Sequence, residues 1–220
     1  MSGQRIPVVR ADGYLWQYED DPTGQQLALG PSGHEHELGP WLRTLLARGV
    51  FLDVGAHVGH WSVRLAGQAS KVIAVEPNPE TARILRTNVA MNNLSNVVVY
   101  EVAAWDCDTM LRLEPPDGLP IGGGTRVLDD GKGTVKAVRL DALLAAEPAV
   151  DLVKLDVEGA DLHALEGMRG LLAKHRPAML VECHDMYGYY DFGDMEALIS
   201  DLGYSYNFVL HRGYFVAQPG

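Results

Sequence analysis

Five short apolar segments, separated by segments of helical periodicity, constrain the fold of this 220-residue chain more than any other feature. The five predicted strands are residues 50–54, 71–76, 97–102, 151–159 and 178–184. Between them, apolar residues recur every three or four positions, which is the spacing of helices that pack against a sheet. This alternation predicts an α/β fold, in which a mainly parallel sheet carries helices on both faces.

The C-terminal end of the chain follows a different pattern. Residues 204–218 form two short runs on either side of a turn near Arg212, which predicts an antiparallel hairpin at the end of the sheet. The sequence contains no internal repeat and no interdomain linker, and its length suits one domain. We therefore predict a single domain over residues 1–220, in which residues 1–35 form N-terminal strands and a cap and residues 36–220 form the core.

Four further segments complete the predicted architecture. Residues 6–29 are typical of short strands joined by turns, and residues 108–115 and 134–140 are two further alternating runs. The glycines and prolines between these two runs predict an irregular loop over residues 115–133. Residues 160–175 keep a helical spacing throughout and predict one continuous helix.

Composition limits the partners of the chain. The formal net charge is −11 and no lysine or arginine cluster is present, which argues against a nucleic-acid partner. No apolar run reaches the roughly 18 residues of a membrane span, and the N-terminus lacks the apolar segment of a secretion signal. Cys107 and Cys183 are too few and too far apart for a disulfide framework, so we expect a cytoplasmic protein. A homodimer stays open.

Acidic residues close every predicted strand. These strand-end residues are Asp53, Glu76, Glu101, Asp156 with Glu158, and Glu182 with His184. Ligands of parallel α/β sheets bind at the carboxyl ends of the strands, and an isolated buried carboxylate is costly. Helix capping could explain one or two of these acids, but five in succession predict a ligand-binding edge.

The segment FLDVGAHVGHWS, residues 51–62, indicates which ligand that edge holds. A dinucleotide site would show G-x-G-x-x-G, whereas here Asp53 precedes Gly55 and Gly59, and an acid would repel a pyrophosphate. Glu76 at the next strand end can accept both hydroxyls of a ribose. A ligand with a ribose, a positive centre and no phosphate is S-adenosylmethionine, whose carboxylate would suit the helix N-terminus between Gly59 and Ser62. A nicotinamide cofactor is a weaker alternative.

Four motifs identify a family by resemblance. DVGAHVG, AVEPNP, KLDVEGAD and VECH, in this order and spacing, resemble the FkbM-type methyltransferases. These are class I enzymes that use S-adenosylmethionine and act mostly on oxygen, and the resemblance implies their Rossmann-like class I methyltransferase fold. It covers about residues 37 to 200, and its most specific part is KLDVEG at residues 154–159. The chain departs from the family at His57, where relatives usually have asparagine.

The resemblance also implies which residues hold S-adenosylmethionine. The methionine part is assigned to Asp53 and the glycines that follow it, and the ribose to Glu76. Residues 103–105 are expected to border the adenine, although Trp105 could equally belong to the core. Glu37 is expected, by analogy, near the methionine end. The full predicted set for the cofactor is Asp53, Gly55, Ala56, His57, Gly59, Ser62, Glu76, Pro77, Asn78, Ala103, Ala104, Trp105, Asp156 and Glu37.

The remaining strand-end residues are candidates for catalysis. A hydroxyl acceptor must lose its proton, which requires a base or a metal ion. In one arrangement a carboxylate or His184 is the base, with Asp156 and His184 as the leading candidates. In the other, Asp156, Glu158 and Glu182 hold a divalent cation. We favour the arrangement without a metal, because no compact ligand motif is complete here. Lys154 would neutralise the cluster, and a purely structural ion-pair network is the alternative.

The sequence thus predicts an S-adenosylmethionine-dependent O-methyltransferase, whose product is a methyl ether on a small molecule, natural product or glycan. An N- or C-methyltransferase of the same fold and a non-catalytic protein that binds S-adenosylmethionine are the alternatives. The aromatic residues of segment 185–194 would suit an aromatic or sugar-like acceptor, or form a hydrophobic lid.

Overall fold

The computed structural model describes residues 8–11, 13–18, 37–115, 124–184, 188–210 and 213–220. Parts of four predictions lie outside these ranges: the N-terminal strands and cap beyond residue 18, the centre of the loop at 115–133, the start of the aromatic segment, and the hairpin turn near Arg212.

The described residues form thirteen strands and seven helices. The strands are β1 (Val8–Ala11), β2 (Tyr14–Gln17), β3 (Val50–Val54), β4 (Lys71–Val75), β5 (Val97–Tyr100), β6 (Ala103–Ala104), β7 (Thr109–Glu114), β8 (Arg126–Leu128), β9 (Val135–Val138), β10 (Leu152–Leu155), β11 (Ala178–Glu182), β12 (Tyr204–Leu210) and β13 (Tyr214–Pro219). The helices are α1 (Leu38–Leu46), α2 (His60–Ala66), α3 (Pro79–Met91), α4 (Leu140–Leu143), α5 (Asp161–Gly167), α6 (Arg169–His175) and α7 (Phe192–Asp201).

The central sheet has seven strands in the order β12-β13-β11-β10-β3-β4-β5. Strands β11, β10, β3, β4 and β5 are parallel, and the hairpin of β12 and β13 joins them antiparallel to β11. This confirms the predicted α/β fold with its mainly parallel sheet and C-terminal hairpin. The chain proceeds from β3 to one side of the sheet and returns at β10 on the other, so a ligand crevice is expected where these two neighbours end.

Alternate residues of β3 explain how helices cover both faces of this sheet. Leu52 packs in a core cluster with residues of α5, α6 and α7. Phe51, on the opposite face, packs in a cluster with residues of α1 and α2. Every residue of β3 is buried, as expected for a parallel strand with both faces covered.

Three predicted elements differ in the structure. Strands β6, β9, β7 and β8 form a separate four-stranded sheet, and β8 lies within the segment that we predicted as an irregular loop. The predicted strand at 97–102 ends at Tyr100, because the chain then turns away into this second sheet. The predicted helix at 160–175 is two helices, α5 and α6, which meet at Met168. A Cβ on Gly167 would lie 1.9 Å from the carbonyl oxygen of Trp105, so α5 ends in close contact with the backbone after β6.

The N-terminal hairpin of β1 and β2 is attached to α3 through two asparagine side chains. Asn92 accepts a hydrogen bond from the backbone amide of Leu15 and donates to its carbonyl, at 2.8 and 2.7 Å. Asn88, one turn earlier, makes the same pair of bonds with Gln17, at 2.6 and 2.8 Å. The two side-chain amides therefore satisfy the backbone of β2 in the way a neighbouring strand would.

None of the helices in the described part of the chain combines the length and the apolar character that a membrane crossing requires.

Candidate active site

The turn after β3 brings the backbones of two strands together. Gly55 has φ +81°, and a Cβ at this position would lie 1.7 Å from the carbonyl oxygen of Asp156, at the end of β10. Gly59 has φ +93°, and its Cβ would lie 2.4 Å from a methyl carbon of Leu85 in α3. Both positions have the positive φ that favours glycine, and at Gly55 the close approach of the Asp156 backbone leaves no room for a Cβ. Gly55 thereby fixes the distance between the ends of β3 and β10.

A cavity opens at this point, at the carboxyl ends of β3, β4 and β10, and we call it the strand-end cavity. The predicted site residues that line it are Asp53, Gly55, Ala56, His57, Glu76, Pro77, Asn78, Ala103, Ala104, Lys154, Asp156, Glu158 and Glu182. The structure thus brings together residues that are distant in the sequence, as the strand-end argument predicted.

Glu76 lies at the end of β4 with its carboxylate fixed by backbone amides. The amide of His57 donates to Oε2 and the amide of Asn78 donates to Oε1, both at 2.9 Å. His57 adopts φ +52°, which directs its amide toward the carboxylate. The backbone amides of His57 and Asn78 therefore orient an acid that lines the cavity.

Asp53, at the end of β3, lies almost completely buried in the cavity wall. The Ser62 hydroxyl donates a hydrogen bond of 2.6 Å to its Oδ2. Ser62 was expected to face the cofactor carboxylate, but it is fully buried and does not line the cavity. Its position behind Asp53 makes it a positioning residue for that acid.

Three other predicted cofactor residues lie away from the strand-end cavity. Glu37 is exposed at the start of α1 and does not line the cavity, so the structure does not bring it next to the other predicted cofactor residues. Gly59 precedes α2 and packs against α3. Trp105 is buried and stacks on the ring of His163, with centroids 3.8 Å apart, whereas Ala103 and Ala104 do line the cavity. Glu101, another strand-end acid, points outward to an ion pair of 2.8 Å with Arg86.

The acids at the ends of β10 and β11 form a charged cluster with Lys154. The buried Lys154 ammonium donates a hydrogen bond of 2.7 Å to Asp156 Oδ2, and Glu182 is hydrogen-bonded to the same carboxylate. Burial alone would raise the pKa of Asp156, but the charges of Lys154 and His184 and these hydrogen bonds outweigh it and lower the pKa to about 2. Asp156 is therefore ionised at neutral pH and, with this lowered pKa, a weaker base than an ordinary carboxylate.

His184 lies behind this cluster and contacts three acids. Its Nε2 is 3.7 Å from Asp156 and 3.5 Å from Glu158, and its Nδ1 is 3.2 Å from Asp161. Burial disfavours the charged imidazolium, but the hydrogen bond and charge of Asp161, with the charges of Asp156 and Glu158, raise the pKa of His184 to about 9. His184 thus carries a proton at neutral pH, which does not favour the role of base that the sequence predicts for it.

Sequence reasoning missed Asp161, the first residue of α5. Its side chain is fully buried against His184, and burial raises the pKa of its carboxyl group. Asp161 is the last residue of the KLDVEGAD motif. In a sequence, an acid in the first turn of a helix is ordinarily explained by its favourable interaction with the helix dipole. Only the burial of the position reveals its pairing with His184.

Glu158 combines a raised carboxyl pKa with a position in the cavity wall, and neither Asp156 nor His184 has both. Burial, followed by the negative charge of Asp156, raises the pKa of its carboxyl group above the usual range. It lines the strand-end cavity and has φ +53°, an uncommon value for a residue other than glycine. Glu158 is therefore the group in this cluster that is best suited to exchange a proton with a ligand.

The same groups offer the geometry of a small cation site. Ligand atoms of Asp156, Glu158 and His184 lie within 4.8 Å of one another. However, Lys154 already neutralises one Asp156 oxygen, and a protonated His184 has no free nitrogen lone pair. A divalent cation at this site would therefore compete with two cationic side chains, Lys154 and a protonated His184, for the same carboxylate oxygens.

A second histidine of the cavity wall was also missed. His60, at the start of α2, lines the strand-end cavity, and its Nδ1 is 2.6 Å from Nη1 of Arg64. Arginine can only donate, so Nδ1 accepts and the proton of the neutral ring is on Nε2. The Arg64 guanidinium in turn lies 4.8 Å over the ring of Trp16 in β2. In the sequence, His60 is hidden within a short helical pattern.

Comparison with known proteins finds a methyltransferase family and a curated methyltransferase that are similar to this chain. The family model described as "Methyltransferase FkbM domain" matches residues 53–206. Among curated proteins, the hexuronic acid methyltransferase AglP of Haloferax volcanii is 29% identical over 140 residues, which cover 61% of this chain and 56% of that protein. The chain thus spans little more than half the length of this curated relative.

Solved structures of methyltransferases share the fold. The methyltransferase FkbM from Methylobacillus flagellatus KT has a TM-score of 0.56 at 19% identity and covers 76% of this chain and 42% of its own. The putative methyltransferase yhhF from Escherichia coli also has a TM-score of 0.56, at 13% identity, and covers 97% of this chain and 99% of its own. At these identities the similarity concerns the fold.

Proposed function

Because this chain belongs to the FkbM methyltransferase family, we propose that it transfers a methyl group from S-adenosylmethionine to a hydroxyl oxygen of a small molecule, natural product or sugar. One observation carries the proposal. A single cavity joins Glu76, an acid oriented by two backbone amides, to Glu158, an acid whose environment favours proton exchange.

The strand-end cavity fits S-adenosylmethionine by its charges. The ligand has a ribose, a positive ammonium group and a positive sulfur, and carries no phosphate that an acidic wall would repel. Glu76 suits the two ribose hydroxyls, because it lines the cavity and two backbone amides orient its carboxylate. Asp53, held by the Ser62 hydroxyl, suits the ammonium group.

When bound, S-adenosylmethionine supplies a methyl group on a positively charged sulfur. The acceptor oxygen forms a bond to the methyl carbon while the carbon–sulfur bond breaks, and the sulfur keeps the electrons of that bond. The residues of the chain position that oxygen and remove its proton. Glu158 accepts the proton, since its raised pKa makes it a stronger base than an ordinary carboxylate. Asp161 holds His184 protonated, and His184 with Lys154 balances the charge of Asp156 beside the base.

Two observations support oxygen and a sugar-like acceptor. A hydroxyl requires a base, and Glu158 provides one at the cavity wall. The curated relative from Haloferax volcanii is named for hexuronic acid, a sugar derivative. Transfer to nitrogen or carbon by the same fold is the alternative, and a protein that binds S-adenosylmethionine without turnover is the second alternative.

Turnover with labelled S-adenosylmethionine tests the proposal. The purified chain is incubated with matched panels of alcohols, amines and activated carbon acids, and the methylated product is identified by mass spectrometry. We expect S-adenosylhomocysteine to be released only in the presence of an alcohol, with the label as a methyl ether. A labelled amine or carbon product would contradict transfer to oxygen. Binding of S-adenosylmethionine with no turnover of any panel would contradict catalysis.

A further inference from the structure

A second cavity adjoins the strand-end cavity, and we call it the aromatic cavity. Its volume is about 390 Å³, and it shares Val127, Glu158 and Ala160 with the first. The side chains that give it its chemical character are Trp105, Arg126, Asp129, Glu158, His163 and Tyr189. Because Glu158 belongs to both walls, a ligand in the aromatic cavity would meet the proposed base at the boundary with the cofactor.

The Tyr189 ring is a wall held from two sides. The Arg126 guanidinium lies 5.2 Å from the ring centroid and is hydrogen-bonded to the Tyr189 side chain. Glu114 in β7 anchors Arg126 through a hydrogen bond of 2.7 Å from Nε. A Cβ on Gly159 would lie 2.2 Å from Tyr189 Cδ2, so one edge of the ring packs closely on the backbone next to Glu158.

A pair of stacked rings forms another part of the wall. The Trp105 indole and the His163 imidazole are nearly parallel, at 15°, with centroids 3.8 Å apart. The Asp106 carboxylate accepts a hydrogen bond of 2.7 Å from His163 Nδ1, which fixes the imidazole in this position. Aromatic faces of this kind pack against the apolar faces of ring-shaped ligands.

The charges of the aromatic cavity select among such ligands. Asp129 and Glu158 line the cavity with carboxyl groups. The positive charge of Arg126 is engaged by Glu114, and the charge of Glu158 is offset by His184, so the charge of Asp129 remains. An anionic ligand is therefore disfavoured by Asp129. Several carboxylate oxygens match a ligand that donates several hydrogen bonds, as a polyhydroxylated ring does and a planar phenol, with one or two hydroxyls, does not.

We propose that the aromatic cavity is the acceptor site and takes a neutral sugar ring, with an apolar ring face against Tyr189 and a hydroxyl directed to Glu158. This inference rests on the proposed methyl transfer and adds the location and charge of the acceptor. It assigns Tyr189 to recognition of the acceptor and not of S-adenosylmethionine, because Tyr189 lines only the aromatic cavity of the two.

Binding of defined glycosides tests the site independently of turnover. The probes are the neutral methyl glycosides of glucose, galactose and rhamnose, with methyl glucuronoside as the anionic match and catechol as the planar phenol. Each is titrated by ligand-observed NMR in the presence of S-adenosylhomocysteine. We expect at least one neutral glycoside to bind better than both comparison probes. Tyr189→Ala should weaken it roughly three- to tenfold, with a change of less than about twofold in S-adenosylmethionine affinity.

Two control variants separate the ring from other effects. Tyr189→Phe keeps the ring and should retain binding, and Trp41→Ala removes an exposed aromatic residue of α1, outside both cavities. Preference for the glucuronoside or catechol, no binding of any neutral glycoside, or equal losses in Tyr189→Ala and Trp41→Ala would overturn the inference. A glycoside that binds through Tyr189 but is never methylated would overturn the proposed transfer alone. Methylation of an acceptor that is insensitive to Tyr189→Ala would overturn the site alone.

Discussion

Acids close the strands on both sides of the β3–β10 boundary, but the two sides hold them differently. At the ends of β3 and β4, the hydrogen bonds described above for Asp53 and Glu76 include donors that are neutral groups, namely a serine hydroxyl and two backbone amides. At the ends of β10 and β11, Asp156 and Glu158 lie next to the cationic side chains of Lys154 and His184.

This difference separates binding from proton transfer. Neutral donors orient a carboxylate without cancelling its charge, so that charge can act on a ligand. Cationic neighbours cancel the charge and couple the titration of each acid to the others, which shifts their pKa values apart. Acids at equivalent strand ends are thereby given two functions, ligand binding and proton transfer. Variants at the ends of β3 and β4 should lower the affinity for S-adenosylmethionine, whereas variants at the ends of β10 and β11 should lower the turnover rate.

The largest effect is expected from neutralising Glu158. Glu158→Gln keeps the size of the side chain but cannot take the proton of the acceptor hydroxyl, so turnover should fall by roughly 10²–10⁴. Turnover of the wild type should rise with pH as Glu158 loses its proton, at a pH above that of an ordinary glutamate because its pKa is raised. Steady-state rates across pH check both. If Glu158→Gln lowered the affinity for S-adenosylmethionine and left the turnover rate unchanged, the acids of β10 and β11 would not differ in function from those of β3 and β4.

The second effect concerns stability on the cationic side. Folding raises the pKa of His184 from 6.5 to about 9, so its protonated form stabilises the fold fully below pH 6.5, and this contribution is lost as the pH rises through 9. The free energy of unfolding of the wild type, relative to His184→Gln, should therefore decrease over this range by on the order of 3 kcal/mol. Urea unfolding at several pH values measures it.

His175→Gln is the control for that experiment. His175 ends α6, and burial lowers the pKa of its imidazole. Its effect on the free energy of unfolding should therefore be nearly constant between pH 6.5 and 9. An equally flat result for His184→Gln would show that His184 does not carry the charge that the comparison assigns to it.

The third effect tests the neutral side. Glu76→Gln removes the charge that suits the ribose hydroxyls and should weaken S-adenosylmethionine roughly tenfold. Glu101→Gln is its counterpart at the end of β5, where the acid pairs with Arg86 outside the cavity, and should leave the affinity unchanged. Calorimetry on both variants makes the comparison, and equal affinities would remove Glu76 from the cofactor site.

The smallest effect is expected from a chelator. Because Lys154 and His184 already balance the acids of β10, prolonged treatment with EDTA should leave turnover unchanged. The assay is repeated with and without added magnesium or manganese after dialysis. A loss of turnover that either cation restores would show that this side of the boundary holds a metal, and that its cationic side chains are not sufficient.

Much of this arrangement follows from the sequence because parallel strands impose it. Once residues 50–54 and 151–159 are recognised as strands, their carboxyl ends must meet at one edge, and with them Asp53 and Asp156. The glycine at position 55 then follows from the turn that leaves β3. Local pattern and global topology agree here, so the prediction of the edge was reliable.

The exceptions depend on contacts between distant segments. Glu101 has the same local pattern as Glu76, and only its ion pair with Arg86 places it outside the cavity. The break at Met168 is not signalled by a proline, since it arises where Gly167 approaches the carbonyl of Trp105. The pKa of His184 depends on Asp161, whose burial no single-sequence pattern reveals.

The asparagines that attach the N-terminal hairpin to α3 have a consequence for the order of assembly. Their hydrogen bonds join residues that are 71 and 77 positions apart, and the helix must exist before its side chains can be spaced one turn apart. Closing so long a loop is slow compared with forming either element alone. We therefore expect strands β1 and β2 to join the fold late and to leave it early, and their detachment would remove the Trp16 ring from the Arg64 guanidinium.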